Sequence, residues 1–327
     1  MSIDKALLQQ AGGELLASQR VLIISHIHPD GDAIGSLLGL GLALETLGKD
    51  VTMVLADGIP GSFRYLNGSS RVVSHLDGTY DMICVVDCSD RERTGNVLPA
   101  ETVIDLNIDH HATNLNFARL NLVDTQAAAA AEIVIDILRH IAVQFSPAVV
   151  EALLTGLVTD TIGFRTSSTT PKTLRLAADL MEAGGDLSKI YRLSLITRSY
   201  EAARLWGAGL TNIQREGGLT WTTLTREDRQ AVNYPGRDDA DLINVLSSVD
   251  GIDIALIFIE QSNGNVKVSW RAQPGFDVSQ VALSFGGGGH AAASGAEISG
   301  SLQQVRDRVL EATRPLLNHQ NLASEQS

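Results

Sequence analysis

The sequence predicts an α/β protein whose first domain is a doubly wound, mostly parallel sheet. Short apolar runs in its first third alternate with segments that have a helical pattern, which is the signature of parallel sheets. Three of these runs lead directly into aspartates or histidines, so such side chains are expected at one edge of the sheet. A helical connector and a smaller α/β domain with a mixed sheet are predicted to follow.

The elements of the first domain begin with an amphipathic helix over residues 4–18. Strands are predicted at 21–25, 51–55, 82–86 and 102–108, because each is short and rich in β-branched residues. Apolar patterns predict helices over 34–48, 126–140, 147–159 and 171–183, and a largely helical segment over 186–215.

The second domain is predicted to contain strands at 219–225, 252–260 and 265–271, a helix near 238–248 and a closing helix over 301–317. An Asn-Gly pair at 263–264 favours a hairpin between the last two strands. The predicted boundaries are 1–190 for the first domain, 191–216 for the connector, 217–318 for the second domain and 319–327 for a polar tail.

Length and composition bound the class of protein. The chain has 327 residues, with 44% hydrophobic and 19% charged, which is ordinary for a globular protein of two domains. No apolar run approaches the roughly 18–20 residues of a membrane span, and the amino terminus lacks the pattern of a signal peptide. Cys84 and Cys88 read as reduced core thiols. A cytoplasmic protein with no membrane partner is expected.

The formal charge of −13 argues against binding a long duplex nucleic acid, because proteins that do so carry a basic surface. This charge does not argue against a small anionic substrate that is held locally.

The stretch over residues 25–36 organises the chain. It places His26, Asp30 and Asp32 in the turn between the first strand and an apolar helix. Carboxylate oxygens with an imidazole nitrogen suit a hard divalent cation. Since Asp30 and Asp32 are two residues apart in a tight turn, two ions at one edge of the sheet are predicted. The alternative is that the aspartates merely cap the helix.

Two further strands and one helix also end in acids or histidines. Asp87 follows the strand at 82–86, and Asp109, His110 and His111 follow the strand at 102–108. Asp160 lies beside a glycine turn at the end of a helix. Unrelated structural needs would rarely place all of these groups on the same edge, which favours a functional site over helix capping.

A run of four glycines, 286–289, precedes His290 and Ser294 in the second domain. Such a run loses much chain entropy on folding, so it predicts a close approach of backbone to a ligand, with Gly288 and Gly289 as contacts. A flexible hinge is the alternative. Arg165 and Arg271 are candidate phosphate ligands, since arginine binds phosphate in a bidentate manner, although a solvated surface role is equally open.

These motifs, taken in order, resemble those of the DHH phosphoesterase superfamily. The resemblance rests on the His-x-x-x-Asp-x-Asp stretch, the strand-end Asp87, the Asp-His-His triplet, the Thr-Asp-Thr at 159–161 and the glycine-histidine motif of the first type of DHH-associated C-terminal domain. It covers residues 26–295. The chain looks most like the nanoRNase/pAp-phosphatase and cyclic-di-AMP/pApA phosphodiesterase branch.

The resemblance implies one metal held by His26, Asp30 and Asp87, and another held by Asp32, Asp87, His110 and Asp160. It leaves His111 to contact the reacting phosphate and Asp109 to orient a histidine. Manganese is the usual metal of such enzymes, so two Mn²⁺ ions are expected, although the residues alone would also suit magnesium, cobalt or iron. The resemblance also implies that a second-domain site holds the far end of the substrate, and a homodimer is expected.

The expected activity is metal-dependent hydrolysis of short oligoribonucleotides or linear dinucleotides of the pApA type, and of the 3′-phosphate of pAp. An alternative within the class is a cyclic-di-AMP phosphodiesterase. An inorganic pyrophosphatase and a non-catalytic nucleotide-binding protein are further alternatives. The ligand positions are all filled by competent residues, which argues against the last.

Overall fold

The computed structural model describes residues 4 to 324, which form two compact units, one reaching to Thr197 and the other beginning at Arg198. The helices of the first unit are α1 (Lys5–Ala17), α2 (Gly31–Thr46), α3 (Ala130–His140), α4 (Pro147–Asp160), α5 (Pro171–Glu182) and α6 (Leu187–Tyr191). Its strands are β1 (Arg20–Ile24), β2 (Asp50–Val54), β3 (Met82–Val86), β4 (Leu106–Asp109) and β5 (Leu120–Val123).

The sheet of the first unit is entirely parallel and has the strand order β2-β1-β3-β4-β5. The strand order reverses between β1 and β3, which are neighbours in the sheet. Ligands of open α/β sheets bind beside such a reversal, at the carboxyl ends of the strands. The predicted doubly wound fold is therefore confirmed, and the turn after β1 and the residue after β3 lie at the expected edge.

Helix α2 begins earlier than predicted, at Gly31, because Asp30 caps it. The Asp30 carboxylate accepts hydrogen bonds from the backbone N–H groups of Asp32 and Ala33. The helix is buried from Gly31 to Leu44 and packs against α4. A Cβ on Gly35 would lie 2.5 Å from the carbonyl oxygen of Ala152, so only glycine permits this approach.

The second unit has a mixed sheet, as predicted. Its strands are β6 (Gln214–Glu216), β7 (Leu219–Leu224), β8 (Ile254–Glu260), β9 (Asn265–Ala272), β10 (Gly288–His290) and β11 (Ala293–Ser299). They lie in the order β10-β11-β9-β8-β7-β6, with only β7 and β8 parallel. Its helices are α7 (Tyr200–Thr211), α8 (Arg226–Ala231), α9 (Leu242–Leu246), α10 (Ser279–Ser284) and α11 (Leu302–Ser324).

Several elements differ from the sequence-based expectation. The segment over 186–215 is interrupted after a π-helical turn, Arg192–Ile196, and α7 packs its Leu205 into the core of the second unit. The closing helix continues to Ser324, beyond residue 317, so most of the predicted tail is helical and residues 325–327 lie outside the described chain. Between residues 4 and 324, no helix is both long and apolar enough to span a bilayer.

Candidate metal centre

His26 lies in the turn after β1 and is 3% exposed. Its Nδ1 atom lies 2.8 Å from the carbonyl oxygen of Ile27. Because a carbonyl oxygen only accepts hydrogen bonds, Nδ1 carries the hydrogen in this contact and Nε2 can offer a lone pair. Nε2 lies 3.5 Å from Asp87 Oδ2 and 4.0 Å from Asp30 Oδ1. An imidazole nitrogen and two carboxylates therefore converge.

Asp87 follows β3 with a positive φ of 51°, a backbone conformation that few non-glycine residues adopt. Its Oδ1 lies 3.6 Å from His110 Nε2 and 3.7 Å from His111 Nδ1, on the side away from the contact that Oδ2 makes with His26. Oδ1 is buried and has no hydrogen-bond partner among residues 4–324. A buried carboxylate oxygen without a partner is costly, so this position fits a cation.

His110 brings two further carboxylates together. Its Nε2 atom lies 3.6 Å from Asp160 Oδ2 and 4.0 Å from Asp32 Oδ2. Its Nδ1 lies 3.3 Å from the carbonyl oxygen of Ala127, a contact that again favours the hydrogen on Nδ1. Asp160 is the last residue of α4, His110 directly follows β4 and Asp32 lies in α2, so three different elements supply these side chains.

The Asp32 carboxylate is fixed by the first turn of α3. It accepts hydrogen bonds from the backbone N–H groups of Ala130 at 2.6 Å and Ala131 at 3.0 Å, and from the Ser36 hydroxyl at 3.0 Å. The residue at the N-cap of α3 is Ala129, whose side chain cannot cap the helix. Asp32 therefore caps α3 from a different helix, and this role holds its oxygens towards His110.

Burial and mutual repulsion raise the pKa of two of these acids. Burial, followed by the charge of Asp87, raises the pKa of Asp32 to about 7. Burial likewise raises the pKa of Asp160 well above its ordinary value. For His26 and His110, burial disfavours the charged ring, but the surrounding carboxylates outweigh it and raise both pKa values to about 9. Without a cation, these raised pKa values mean that bound protons offset the negative charge of the carboxylates.

The six residues predicted as metal ligands lie together in the structure. Two groups have atoms close enough to hold an ion: His26, Asp30 and Asp87, and Asp32, His110 and Asp160. A third group joins Asp87 and His110 to His111. The set of carboxylate oxygens and imidazole nitrogens is the chemistry that divalent transition metals accept. Asp30 both caps α2 and faces His26, so helix capping and ligand placement coexist here.

His111 is oriented by Asp109. Its Nδ1 atom lies 2.7 Å from Asp109 Oδ1, and Asp109 is fully buried. This contact fixes the plane of the ring and keeps a proton on Nδ1. The structure therefore joins the two residues that the sequence analysis singled out for the reaction.

In the second unit, Arg271 and His290 lie in one row across the sheet. Arg271 of β9 is opposite Ala293 of β11, and Ala293 is opposite His290 of β10. Residues directly opposite each other point to the same face, so the two basic side chains flank a small residue. Burial lowers the pKa of Arg271, although the charges of two nearby aspartates oppose this shift.

The glycine run has two structural roles that the sequence analysis did not separate. A Cβ on Gly287 would lie 2.1 Å from the carbonyl oxygen of Gly295, and one on Gly289 would lie 2.5 Å from that of Ala293. The close approach of the neighbouring strand requires glycine at both positions, and the ligand contact of Gly289 stays a prediction. A Cβ on Gly288 would meet nothing within 4 Å, so this backbone is open.

Ser294 and Arg165 are the remaining predicted contacts. Ser294 is buried, lies opposite Trp270, and donates its hydroxyl hydrogen to the carbonyl oxygen of His290 at 2.8 Å. It thus faces away from Arg271 and supports the loop. Arg165 is exposed on the segment that follows α4.

The fold and this cluster define the class of protein. The family model described as "DHH family, N-terminal domain" matches residues 20–157, and the "DHHA1 domain" model matches residues 233–317. The chain belongs to the DHH family, which confirms the resemblance seen in the motifs.

Particular relatives make the comparison more specific. The chain is 37% identical over 300 residues to the "Bifunctional oligoribonuclease and PAP phosphatase NrnA" of Thermus thermophilus, covering 90% of this chain and 89% of that protein. The crystal structure of an exopolyphosphatase-related protein from Bacteroides fragilis superposes with a TM-score of 0.88 at 26% identity, covering 97% of this chain and 99% of that one. The "Cyclic-di-AMP phosphodiesterase GdpP" of Geobacillus thermodenitrificans is 24% identical over 90% of this chain but 48% of its own length.

Proposed function

We propose that this protein is a phosphoesterase that hydrolyses short oligoribonucleotides and linear dinucleotides, and removes the 3′-phosphate of pAp. The observation that carries the proposal is the shared carboxylate of Asp87, whose two oxygens face His26 on one side and His110 on the other. The similarity to the Thermus thermophilus relative, over nine tenths of both chains, supports this substrate class.

The residues present fit two divalent cations, and we propose Mn²⁺. His26, Asp30 and Asp87 would hold one, and Asp32, Asp87, His110 and Asp160 would hold the other. Two such cations, when bound, would lower the pKa of water towards neutrality and stabilise charge on the transferring phosphoryl group. The unpartnered Oδ1 of Asp87 supports this assignment, because a cation would satisfy it.

The protein's own residues would complete the reaction. Asp109 holds a proton on Nδ1 of His111, so the ring can present its Nε2 atom towards a phosphate. In the protonated form, that nitrogen would donate a hydrogen bond to the phosphoryl group or a proton to the leaving oxygen. Loss of this ring should lower kcat by about 10²- to 10⁴-fold, the span of general acid–base catalysis.

The second unit would bind another part of the nucleotide. Arg271 and His290 flank the small residue Ala293, and the open backbone of Gly288 lies on the same edge strand as His290. A guanidinium beside a small residue suits a phosphate group or the face of a base. Arg165 stays a candidate for a phosphate contact, and a homodimer stays a prediction from the resemblance.

The similarity to the Geobacillus thermodenitrificans protein supports a second candidate, the opening of cyclic di-AMP. Purified protein with added Mn²⁺ would be tested on pAp, pApA, a five-residue RNA, cyclic di-AMP and pyrophosphate. Turnover of the short linear substrates is expected, and the fastest substrate identifies the subclass. Exclusive turnover of pyrophosphate would overturn the proposal.

Asp87→Asn is the matching variant for this test, because it removes the charge of the shared carboxylate while keeping its shape. It should abolish turnover and reduce the number of bound metal ions. Asp105→Asn is its control, since Asp105 lies at the opposite end of the sheet, where its carboxylate accepts a hydrogen bond from the backbone of Ile83. The control should keep both metal and activity. Normal turnover by Asp87→Asn would contradict the shared-ligand role.

A further inference from the structure

Two linked asparagines, one with its amide against the buried Asp109, have no role in the chemistry described so far. Asn107 lies within β4 and is fully buried, and Asn114 lies in the loop that follows His111. Asn114 Nδ2 lies 2.5 Å from Asp109 Oδ2 and 2.8 Å from Asn107 Oδ1. The sequence analysis missed both residues, because a single asparagine within a strand or a loop gives no periodic signal.

The orientation of the Asn114 amide is determined by its surroundings. A carboxylate without a proton only accepts hydrogen bonds, so the group facing Asp109 must be the NH₂. The other end of the amide, Oδ1, accepts a hydrogen bond from the backbone N–H of Asn116 at 2.7 Å. If the amide were rotated by half a turn, its oxygen would face three acceptors, which are Asp109 Oδ2, Asn107 Oδ1 and the carbonyl oxygen of Cys88. Its NH₂ group would then face the backbone N–H of Asn116. The structure thus fixes which end meets Asp109.

The loop that carries Asn114 is itself tied down. The backbone N–H of Asn114 donates to the carbonyl oxygen of His111 at 3.1 Å, and that of Leu115 donates to Ser89 at 2.8 Å. Asn107 in turn donates its amide hydrogens to the carbonyl oxygens of Cys88 at 3.1 Å and Val85 at 3.4 Å. The hydrogen-bond chain therefore ends on the backbone at the end of β3, next to Asp87.

Each carboxylate oxygen of Asp109 therefore contacts a different side chain. Oδ1 meets the imidazole of His111 at 2.7 Å, and Oδ2 meets the amide of Asn114. Asp109 is fully buried, so its carboxylate depends on these two side chains as partners. Without the amide, the carboxylate could rotate about its Cβ–Cγ bond, and the direction in which it holds His111 would no longer be fixed.

We propose that Asn114 is a positioning residue for hydrolysis, which acts through Asp109 to hold the ring of His111 towards the reacting phosphate. The inference rests on the proposed function of His111. Removing an outer hydrogen-bond partner of a metal-ligating side chain typically lowers activity by about 10- to 100-fold, and a loss of the same order is expected for Asn114→Ala.

The control is Asn121→Ala. Asn121 lies in β5 and its amide bridges the backbone of Ala118, accepting at 3.1 Å and donating at 2.7 Å, and within residues 4–324 it makes no hydrogen bond to Asp109. Asn121→Ala replaces the same type of residue as Asn114→Ala and, like it, removes hydrogen bonds between the side chain and a loop. Asn121→Ala should keep normal kcat even where its melting temperature falls. If Asn114→Ala does not fold, Asn114→Ser takes its place in the test, because it keeps a polar side chain in the loop.

The test is a double-mutant cycle on a five-residue RNA, with metal content measured for each protein. Asn114→Ala should lower kcat by about 10- to 100-fold with KM and bound metal little changed. In a His111→Ala background, Asn114→Ala should cause no further loss, because its effect is transmitted through the missing ring.

The outcomes separate the two proposals. Unchanged turnover by His111→Ala alone would overturn the proposed role of His111. A large loss with His111→Ala, but none with Asn114→Ala or Asn114→Ser, would overturn the inference about Asn114. A further loss in the double variant, or a parallel loss of bound metal, would show that Asn114 acts on the fold and would also overturn it.

Discussion

The ionisable side chains at the candidate centre shift one another's pKa values. Asp32 and Asp160 have raised pKa values because they are buried beside other carboxylates, and His26 and His110 have raised pKa values, near 9, because carboxylates surround them. A metal ligand must offer a lone pair, so each of these protons competes with a cation. The affinity of the site for metal is therefore linked to pH.

We expect Mn²⁺ binding to tighten as the pH rises from 6.5 to 9, by about tenfold per pH unit for each proton displaced. The sign follows from His26 and His110, which hold their protons until the pH passes about 9. The metal-free protein should lose stability over the same range, because groups with raised folded-state pKa values stabilise the fold only while protonated.

Calorimetric titration in two buffers that differ in ionisation enthalpy measures the protons released by Mn²⁺. His75→Gln, which changes an exposed histidine outside the cluster, should release the same number as the unchanged protein. An affinity that does not vary with pH, with no proton release, would contradict the assignment of these residues as ligands.

At the level of single residues, the sequence allowed the clustering of the six candidate ligands to be predicted, because each lies at or near the end of a strand or helix. Parallel strands bring their carboxyl ends to one edge, so His26, Asp87 and His110 had to lie near each other. The tie between Asp32 and the first turn of α3, and the amide of Asn114 against Asp109, could not be predicted. These contacts depend on the tertiary approach of segments far apart in sequence.

At the level of elements, buried apolar strands were predicted well, and the exposed, glycine-rich strand β10 was missed. β1 and β3 are buried on both faces, so their composition identifies them. β10 is exposed and consists of two glycines and a histidine, which gives no strand signal. Its pairing with β11 depends on the close backbone approach at Gly287 and Gly289.

Gly287→Ala should destabilise the second unit. Its Cβ would lie 2.1 Å from the carbonyl oxygen of Gly295, a backbone atom that cannot move aside without disturbing β11. Overpacking of this kind costs about 1–3 kcal/mol, which unfolding in urea would measure. Gly288→Ala is the control, because its Cβ would meet nothing within 4 Å. Equal stability of the two variants would contradict the close approach, and a raised KM in Gly288→Ala alone would favour a substrate contact.

At the level of the whole molecule, the net charge of the chain is negative, as is that of the nucleotides proposed as its substrates. The formal charge is −13, and two divalent cations at the centre would reduce it to −9. Phosphates of a nucleotide would thus be attracted locally, while further phosphates of a longer strand would meet a net negative protein. Because this effect concerns exposed charges, added salt should weaken it.

Catalytic efficiency on RNA is therefore expected to fall with length, by about tenfold or more in kcat/KM between five and twenty-four residues at low salt, through repulsion of the outer phosphates. Added salt should narrow this difference, because the Debye length falls to about 8 Å at physiological ionic strength. For the short RNA, a plot of log(kcat/KM) against log[salt] should have a slope of about −2 or shallower, because only two or three phosphates are contacted.

A twenty-four-residue RNA with uncharged methylphosphonate linkages outside its last five residues is the matched control, since it keeps the length and removes the charge. This control should regain the efficiency of the short RNA. Faster hydrolysis of the fully charged long RNA at low salt, with a steep loss on adding salt, would instead reveal an extended basic surface and contradict the restriction to short substrates.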